Sequence, residues 1–224
     1  MRRLGGLGMV KQERARRTYE AILDAAAEEF VSLGYARTTL GGVIAHTGLT
    51  KGALYGHFSS KEDLAHTLVQ HGATVWAGLL TEIECAGLAP LKALRILTVS
   101  LAGRLWADVR VRAAFRLASE LPGDVLQGGP LLTEVWDFLV AHTRRAQANG
   151  EILLRCSPES VAQLLLSLVL GFQHLPVPQR DLPAKGRIEE LWIIVATALR
   201  AAEPTAPPEP ALPADTAQAA GKPS

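Results

Sequence analysis

Apolar residues recur at the 3.6-residue period of an amphipathic helix through most of this 224-residue chain. The period is clearest where five leucines share one helical face: Leu91, Leu94, Leu97, Leu101 and Leu105. Glu151–Cys156 is the one stretch that resembles a strand, and it is too short to support a sheet. The sequence therefore predicts an all-α protein of about nine helices.

Start and stop signals divide the N-terminal third into a long first helix and then short ones. Gly34 is placed to end that first helix, and Thr39 and Thr50 are placed to cap the next two. Ser59–Asp63 contains two overlapping capping-box patterns, which predict the start of a long fourth helix. Further helices are predicted at Pro90–Leu105, Val109–Leu121, Leu131–Ala148, Pro158–Leu175 and Arg187–Ala201, with a loop at Pro122–Pro130.

Charge is balanced overall, at 23 basic against 22 acidic residues, but it is uneven along the chain. Residues 1–17 carry six Lys or Arg against Glu13 alone, so we expect residues 1–15 to form a basic, flexible arm. From Glu203 to Ser224 the chain has six Pro and six Ala, which predicts a disordered tail over 203–224.

Several classes of protein are disfavoured by the composition. No uninterrupted apolar run reaches the roughly 18 residues that a membrane span requires, and no export signal precedes the first helix, so we expect a cytoplasmic protein without a membrane partner. Cys85 and Cys156 match neither a disulfide framework nor a metal-ligand spacing. His66 and His71 do not share a helix face well, so we expect no metal and no cofactor. No nucleophile or acid–base arrangement indicates an enzyme.

Residues 39–58 have the spacing of a helix-turn-helix, with the turn at His46–Leu49. Lys51 can reach a phosphate or a guanine edge, and small residues beside it allow a close approach to the bases. The candidate DNA-binding residues are Thr39, Thr50, Lys51, Gly52, Ala53, Tyr55, His57 and Lys61. From spacing alone, two short packing helices capped by threonines remain an equal alternative.

The run Thr39–Phe58, followed by Ser60–Leu64 and preceded by Ile22–Ala26 and Gly34-Tyr35, resembles the signature of the tetracycline-repressor (TetR) family. The resemblance covers about residues 16–76. It implies a DNA-binding domain there, a ligand-binding and dimerisation domain over 77–202, and a homodimeric repressor that a small molecule releases from DNA. Gly56 departs from the family pattern, in which a large side chain is usual, and Gly41 and Gly42 are expected to weaken the second helix.

A finer resemblance links the chain to the γ-butyrolactone-type autoregulator receptors of Streptomyces. It is carried by Leu49–Tyr55, Lys61–Ala65, Arg116–Ala118 and Thr133–Trp136. It implies a repressor of antibiotic-biosynthesis genes that responds to a lactone or butenolide hormone, with Trp136 at the hormone pocket. A regulator of drug efflux or catabolism within the same family is the alternative.

A lactone site needs apolar walls together with a few hydrogen-bonding groups. The helix that carries Trp136 offers both, from Leu132, Thr133, Val140 and Thr143. Gln70, Trp76, Thr98 and Gln173 are further candidates, and simple core packing is the alternative for all of them.

Helices around 158–175 and 187–201 carry more apolar residues than one core requires. We expect them to pair with the same helices of a second copy, which predicts a two-fold dimer and a pseudo-palindromic double-stranded DNA operator. A helical binding module without DNA function is the other alternative, but such a module would not need the basic N-terminal segment.

Overall fold

The structure, a computed structural model, describes residues 4–121, 131–172 and 184–200. Within these ranges it has nine helices and no strand, as the sequence predicts. Their bounds are α1 (Leu4–Arg37), α2 (Leu40–Thr47), α3 (Lys51–Tyr55), α4 (Lys61–Cys85), α5 (Pro90–Ala107), α6 (Val109–Glu120), α7 (Leu131–Ala148), α8 (Pro158–Phe172) and α9 (Ala184–Leu199).

The predicted caps fix the short helices at the N-terminal end. Thr39 accepts a hydrogen bond from the Gly42 amide, and Thr50 accepts one from the Ala53 amide. Gly48 ends α2 with a φ of 65°, a left-handed conformation that glycine adopts at little cost. The turn between α2 and α3 is therefore set by local chemistry.

Two hydrophobic cores are distinguishable. One lies among α1–α3, the start of α4 and part of α6, and it is centred on Phe30, Leu54, Leu68 and Leu117. The other lies among α4–α9 and contains Trp76, Phe115 and Trp192. Because α4 and α6 contribute to both, these two helices join the helix-turn-helix region to the rest of the fold.

The first helix begins earlier than expected. The basic segment that we expected to be a flexible arm over residues 1–15 is helical from Leu4 onward. Glu13 pairs with Arg16 and Arg17 one turn further along, at 3.2 Å each, and such pairs stabilise an exposed helix. Gly34, with a φ of 77°, interrupts the helix where the sequence predicts its end.

Gly41 and Gly42 do not interrupt α2, whatever they cost in helix stability. A Cβ at Gly42 would lie 2.9 Å from a carboxylate oxygen of Glu29 on α1, the end of a flexible side chain that can move aside. The helix is complete from Leu40 to Thr47.

Some of the predicted segments and residues lie outside the part of the chain that the structure describes. These are the Pro122–Pro130 loop, Gln173 and the tail over 203–224. None of the helices that the structure describes is long and apolar enough to cross a membrane. In the same ranges no group of three or more His, Cys, Asp or Glu residues has the arrangement of a metal site.

Candidate nucleic-acid interface and ligand site

Helix α3 presents the two side chains best suited to contact DNA. Lys51 is exposed at its first position, and Tyr55 is 48% exposed one turn later, with the Lys51 ammonium 5.7 Å from the Tyr55 ring centre. A Cβ at Gly52 would meet no atom within 4 Å, so this side of the helix is open to an incoming surface. The face can hydrogen-bond base edges and phosphates at close range.

The remaining DNA-binding candidates lie around this face but have structural contacts of their own. Thr39 and Thr50 cap their helices, and Ala53 is partly buried. The His57 ring packs edge-on against Tyr19 of α1, with ring centres 6.0 Å apart. The Lys61 ammonium donates to the Tyr35 carbonyl oxygen at 2.9 Å, so its side chain already has a partner.

The Arg110 guanidinium ties α6 to α1. It donates to the Asp24 carboxylate at 2.7 Å, to the Glu20 carboxylate at 2.5 Å and to the Glu20 carbonyl oxygen at 3.1 Å. Although burial acts in the opposite direction, these two carboxylates raise the pKa of Arg110. The guanidinium is therefore a fixed positive charge that holds α6 against α1.

A second set of contacts joins the far end of α6 to the segment after Gly34. Arg116 donates to the Val31 carbonyl oxygen and, at 2.7 Å, to Glu120. Glu120 accepts the Tyr35 amide proton at 2.7 Å. Burial raises the pKa of the Glu120 carboxyl, but the hydrogen bonds from Arg116 and Tyr35 outweigh it, so the pKa is lowered.

Tyr35 continues this network to the start of α4. Its hydroxyl donates to Glu62 at 2.8 Å, and its ring lies 4.2 Å from the Lys61 ammonium. Burial and the Glu62 carboxylate raise the pKa of Tyr35 to about 12. The contacts thus run from α6 through Tyr35 to the first turn of α4, beside the helix-turn-helix. Sequence reasoning used Gly34-Tyr35 and Arg116 only as family markers and missed their common location.

The predicted ligand residues differ in how far they are buried. On α7, Trp136 and Leu132 are partly buried against the larger core, and Val140 is buried. Thr143 is buried and donates its hydroxyl proton to the Leu139 carbonyl oxygen at 2.8 Å. Thr133 is exposed.

The ligand candidates on α4 and α5 also differ in how far they are buried. Thr98 is buried on α5 and donates to the Leu94 carbonyl oxygen at 2.8 Å. Gln70 is exposed on α4, and its side-chain amide lies 3.3 Å from the His66 ring. Trp76 is fully buried on α4. The site residues of the ligand domain therefore remain predictions.

An aromatic row missed by sequence reasoning joins α4 to α7. Phe138 packs edge-on to Trp76 at 5.9 Å between ring centres, and it stacks on His142 at 3.8 Å. Burial lowers the pKa of His142, whose Nδ1 lies 3.0 Å from the Phe138 carbonyl oxygen. The i, i+4 spacing of these two α7 residues was the available signal.

An open cavity of about 560 Å³ lies elsewhere, between the first turn of α5, the α7–α8 connection and α9. Its walls include Lys92, Arg95, Glu151 and Trp192. None of the predicted ligand residues that the structure describes lines it.

The last two helices expose large apolar side chains. On α9, Ile193 and Ile194 are 62% and 67% exposed, and Leu164 of α8 is 46% exposed. Val161 and Trp192 of the same helices are buried. Each helix thus packs one face on the core and leaves apolar residues on another.

Comparison with known proteins decides the family. Residues 22–68 match the family described as bacterial regulatory proteins, tetR family. A crystal structure of a γ-butyrolactone receptor, described as ArpA-like, is 31% identical and superposes with a TM-score of 0.70 over 84% of this chain and 90% of the receptor. The chain belongs to the TetR family.

Two further TetR relatives extend the similarity. CprB from Streptomyces coelicolor, solved in complex with its biological operator sequence, is 31% identical with a TM-score of 0.68, over 84% of this chain and 90% of CprB. The A-factor receptor protein of Streptomyces griseus is 31% identical over 188 residues, which are 82% of this chain. The matched region spans 64% of the A-factor receptor's own length.

Proposed function

We propose that this TetR-family protein is a homodimeric transcriptional repressor, and that a γ-butyrolactone- or butenolide-type hormone releases it from its operator. The observation that carries the proposal is the similarity to a γ-butyrolactone receptor across 84% of the chain. The protein would act by binding rather than by catalysis, and it would act in the cytoplasm, where the operator DNA is.

The proposed DNA contact is the exposed face of α3, where Lys51 and Tyr55 would contact the bases or the phosphates of the operator. A relative of equal identity binds its operator, and the open surface at Gly52 favours the same use here. In a two-fold dimer the two α3 helices would contact half-sites about 34–36 Å apart, or a multiple of that spacing, on a pseudo-palindromic DNA operator.

The proposed domain boundary lies within α4, which like α6 contributes to both cores. Residues 16–76 would bind DNA, and residues 77–202 would bind the hormone and form the dimer through α8 and α9. The exposed Leu164, Ile193 and Ile194 support that dimer face, because monomers rarely leave such apolar groups in water without a partner. By similarity to the receptors, the regulated genes are those of antibiotic and other secondary-metabolite production.

Release of the repressor from DNA would follow from a difference in hormone affinity between two conformations of the protein. A hormone that binds better to a conformation in which α4 and α6 have shifted weakens DNA binding, and DNA weakens hormone binding by the same factor. The network from Arg116 through Tyr35 to Glu62 supports this route, because it joins α6 to the start of α4.

The test begins with operator selection from genomic fragments and measures binding by fluorescence anisotropy. A γ-butyrolactone that carries an alkanoyl chain on its α-carbon should displace the protein, whereas drugs and catabolic acids at equal concentration should not. Trp136→Ala should abolish the response to the lactone and preserve operator affinity. Displacement by a drug or an acid alone would assign the protein to efflux or catabolic control instead.

A further inference from the structure

The indole nitrogen of Trp76 is a hydrogen-bond donor without a partner. The side chain is 1% exposed, and Nε1 has no acceptor among the residues that the structure describes. Buried polar groups of proteins are hydrogen-bonded in the great majority of cases, so an orphan donor requires an explanation. A phenylalanine at this position would supply an apolar ring without the buried N–H.

Trp76 lies in the larger hydrophobic core, beside an aromatic ring. Phe138 lies edge-on at 5.9 Å, and an aromatic ring is at best a weak acceptor. Behind Phe138 stands His142, whose pKa burial lowers, so its ring is neutral at pH 7. This environment suits a neutral molecule with an apolar body better than an ion.

The other buried polar side chains of this core have already used their donors. Thr98 and Thr143 each give their hydroxyl proton to a carbonyl oxygen of their own helix. In the described part of the larger core, the Trp76 N–H is thus a buried donor still available to a ligand.

Trp136 cannot share this environment directly. At about 100° per residue, Trp136 and Phe138 lie roughly 200° apart around α7. Phe138 faces Trp76 and α4, so Trp136 lies on the other flank of the buried stripe formed by Val135 and Leu139. The two tryptophans therefore make separable contributions.

We propose that the Trp76 indole N–H donates a hydrogen bond to a carbonyl oxygen of the ligand, and that Phe138 forms the apolar wall beside it. The proposal rests on the proposed function and names the polar anchor of its ligand site. A lactone or a similar neutral carbonyl compound meets both requirements. Because Trp76 belongs to α4, whose first turn lies beside the helix-turn-helix, the ligand would be bonded to the helix that joins both cores.

The experiment uses the full chain labelled with ¹⁵N at its four tryptophans, and Trp76→Phe identifies the Trp76 signal. The probe is the α-alkanoyl γ-butyrolactone. We expect the Trp76 indole N–H resonance to move downfield on addition of the probe, as a new hydrogen bond requires. Trp76→Phe should weaken the Kd of the probe by about five- to tenfold. Trp106→Phe, the matched control at a tryptophan that is 48% exposed, should leave both the Trp76 shift and the Kd of the probe in place.

The outcomes separate this inference from the proposed function. If the probe releases wild type from DNA but the Trp76 resonance does not move, or Trp76→Phe binds with unchanged Kd, the anchor is wrong and the repressor function stands. If the probe binds neither form, the lactone function fails.

If the probe does not bind, the thermal stability of the protein without ligand still tests the proposed role of Trp76. Trp192 is the matched residue, because it is a buried tryptophan of the same core and Trp192→Phe loses the same volume. Since Trp76→Phe also removes an unsatisfied donor, it should lower Tm less than Trp192→Phe does. An equal or larger loss of Tm in Trp76→Phe would show an ordinary packing residue and overturn the proposal.

Discussion

Gly72 of α4 lies so close to Ala114 of α6 that a Cβ built on Gly72 would stand 2.5 Å from the Ala114 Cβ. It would also lie 3.3 Å from Leu131 at the start of α7. Real Cβ atoms do not approach one another that closely, so the two helices can keep this distance only with glycine at position 72. Since α6 is tied to α1 by Arg110, this contact sets the position of α4 against the DNA-binding region.

The first prediction is that Gly72→Ala forces α4 and α6 apart. Over-packing of this kind should lower the free energy of unfolding by about 1–3 kcal/mol. It should also reduce operator affinity, because both α3 helices of the dimer move with α4. Thermal unfolding and anisotropy measure the two effects.

The matched control for Gly72→Ala is Gly78→Ala, in the same helix. A Cβ at Gly78 meets nothing within 4 Å, so alanine there should stabilise the helix by about 0.5–1 kcal/mol. A Gly72→Ala protein as stable as Gly78→Ala would contradict the close packing.

The second prediction separates residues that contact DNA from those that only support the fold. Lys51→Ala and Tyr55→Ala should each weaken operator binding by about 1–3 kcal/mol and leave Tm nearly unchanged, because both side chains are exposed. Lys61→Ala should lower Tm as well, since its ammonium bonds the Tyr35 carbonyl oxygen. If Lys51→Ala bound the operator as tightly as wild type does, α3 would not be the helix that contacts the bases.

The third prediction concerns pH and the junction at Glu120. The folded pKa of Glu120 is lowered, so its contribution to stability is present above the ordinary carboxyl pKa of about 4.3 and disappears as pH falls through the folded value. Because Glu120 is partly exposed, Glu120→Gln should cost only about 1 kcal/mol at pH 7. The Tm difference from wild type should shrink below about pH 4.

Glu159→Gln is the control for the pH experiment. Glu159 pairs with Arg144 at 2.7 Å on the surface, where both side chains are more than half exposed. Its substitution should change Tm little at any pH. A Glu120→Gln defect that persists undiminished in acid would show that the carboxylate charge is not the cause.

Local rules made the helices and their caps predictable, but they could not locate contacts between distant residues. Thr39, Thr50 and Gly48 act within one turn, so the sequence predicts their roles directly. The hydrogen bond from Tyr35 to Glu120 joins residues 85 positions apart, and no periodicity reports it.

The exposure of α3 was also easier to predict than the arrangement of the ligand candidates. The α3 residues are contiguous, so one helix fixes their common location. The ligand candidates come from α4, α5 and α7, and their relation depends on how these helices pack. Sequence reasoning ranked Trp136 above Trp76 because of the receptor resemblance and the hydroxyl groups on the Trp136 helix. The structure adds that the Trp76 N–H is buried without an acceptor.

The last prediction concerns the dimer. Leu164, Ile193 and Ile194 are exposed in the monomer, whereas Val161 and Trp192 on the same helices are buried in its core. A charge at an exposed position should therefore break the dimer without unfolding the monomer, so Leu164→Glu and Ile194→Glu are better probes than changes at buried sites. Each should convert a two-fold dimer into a monomer in light scattering and abolish operator binding, because one half-site offers too few contacts. Leu154→Glu is the matched control, since Leu154 is 82% exposed but lies outside both helices, and it should remain dimeric. A dimeric, operator-binding Ile194→Glu protein would place the interface elsewhere.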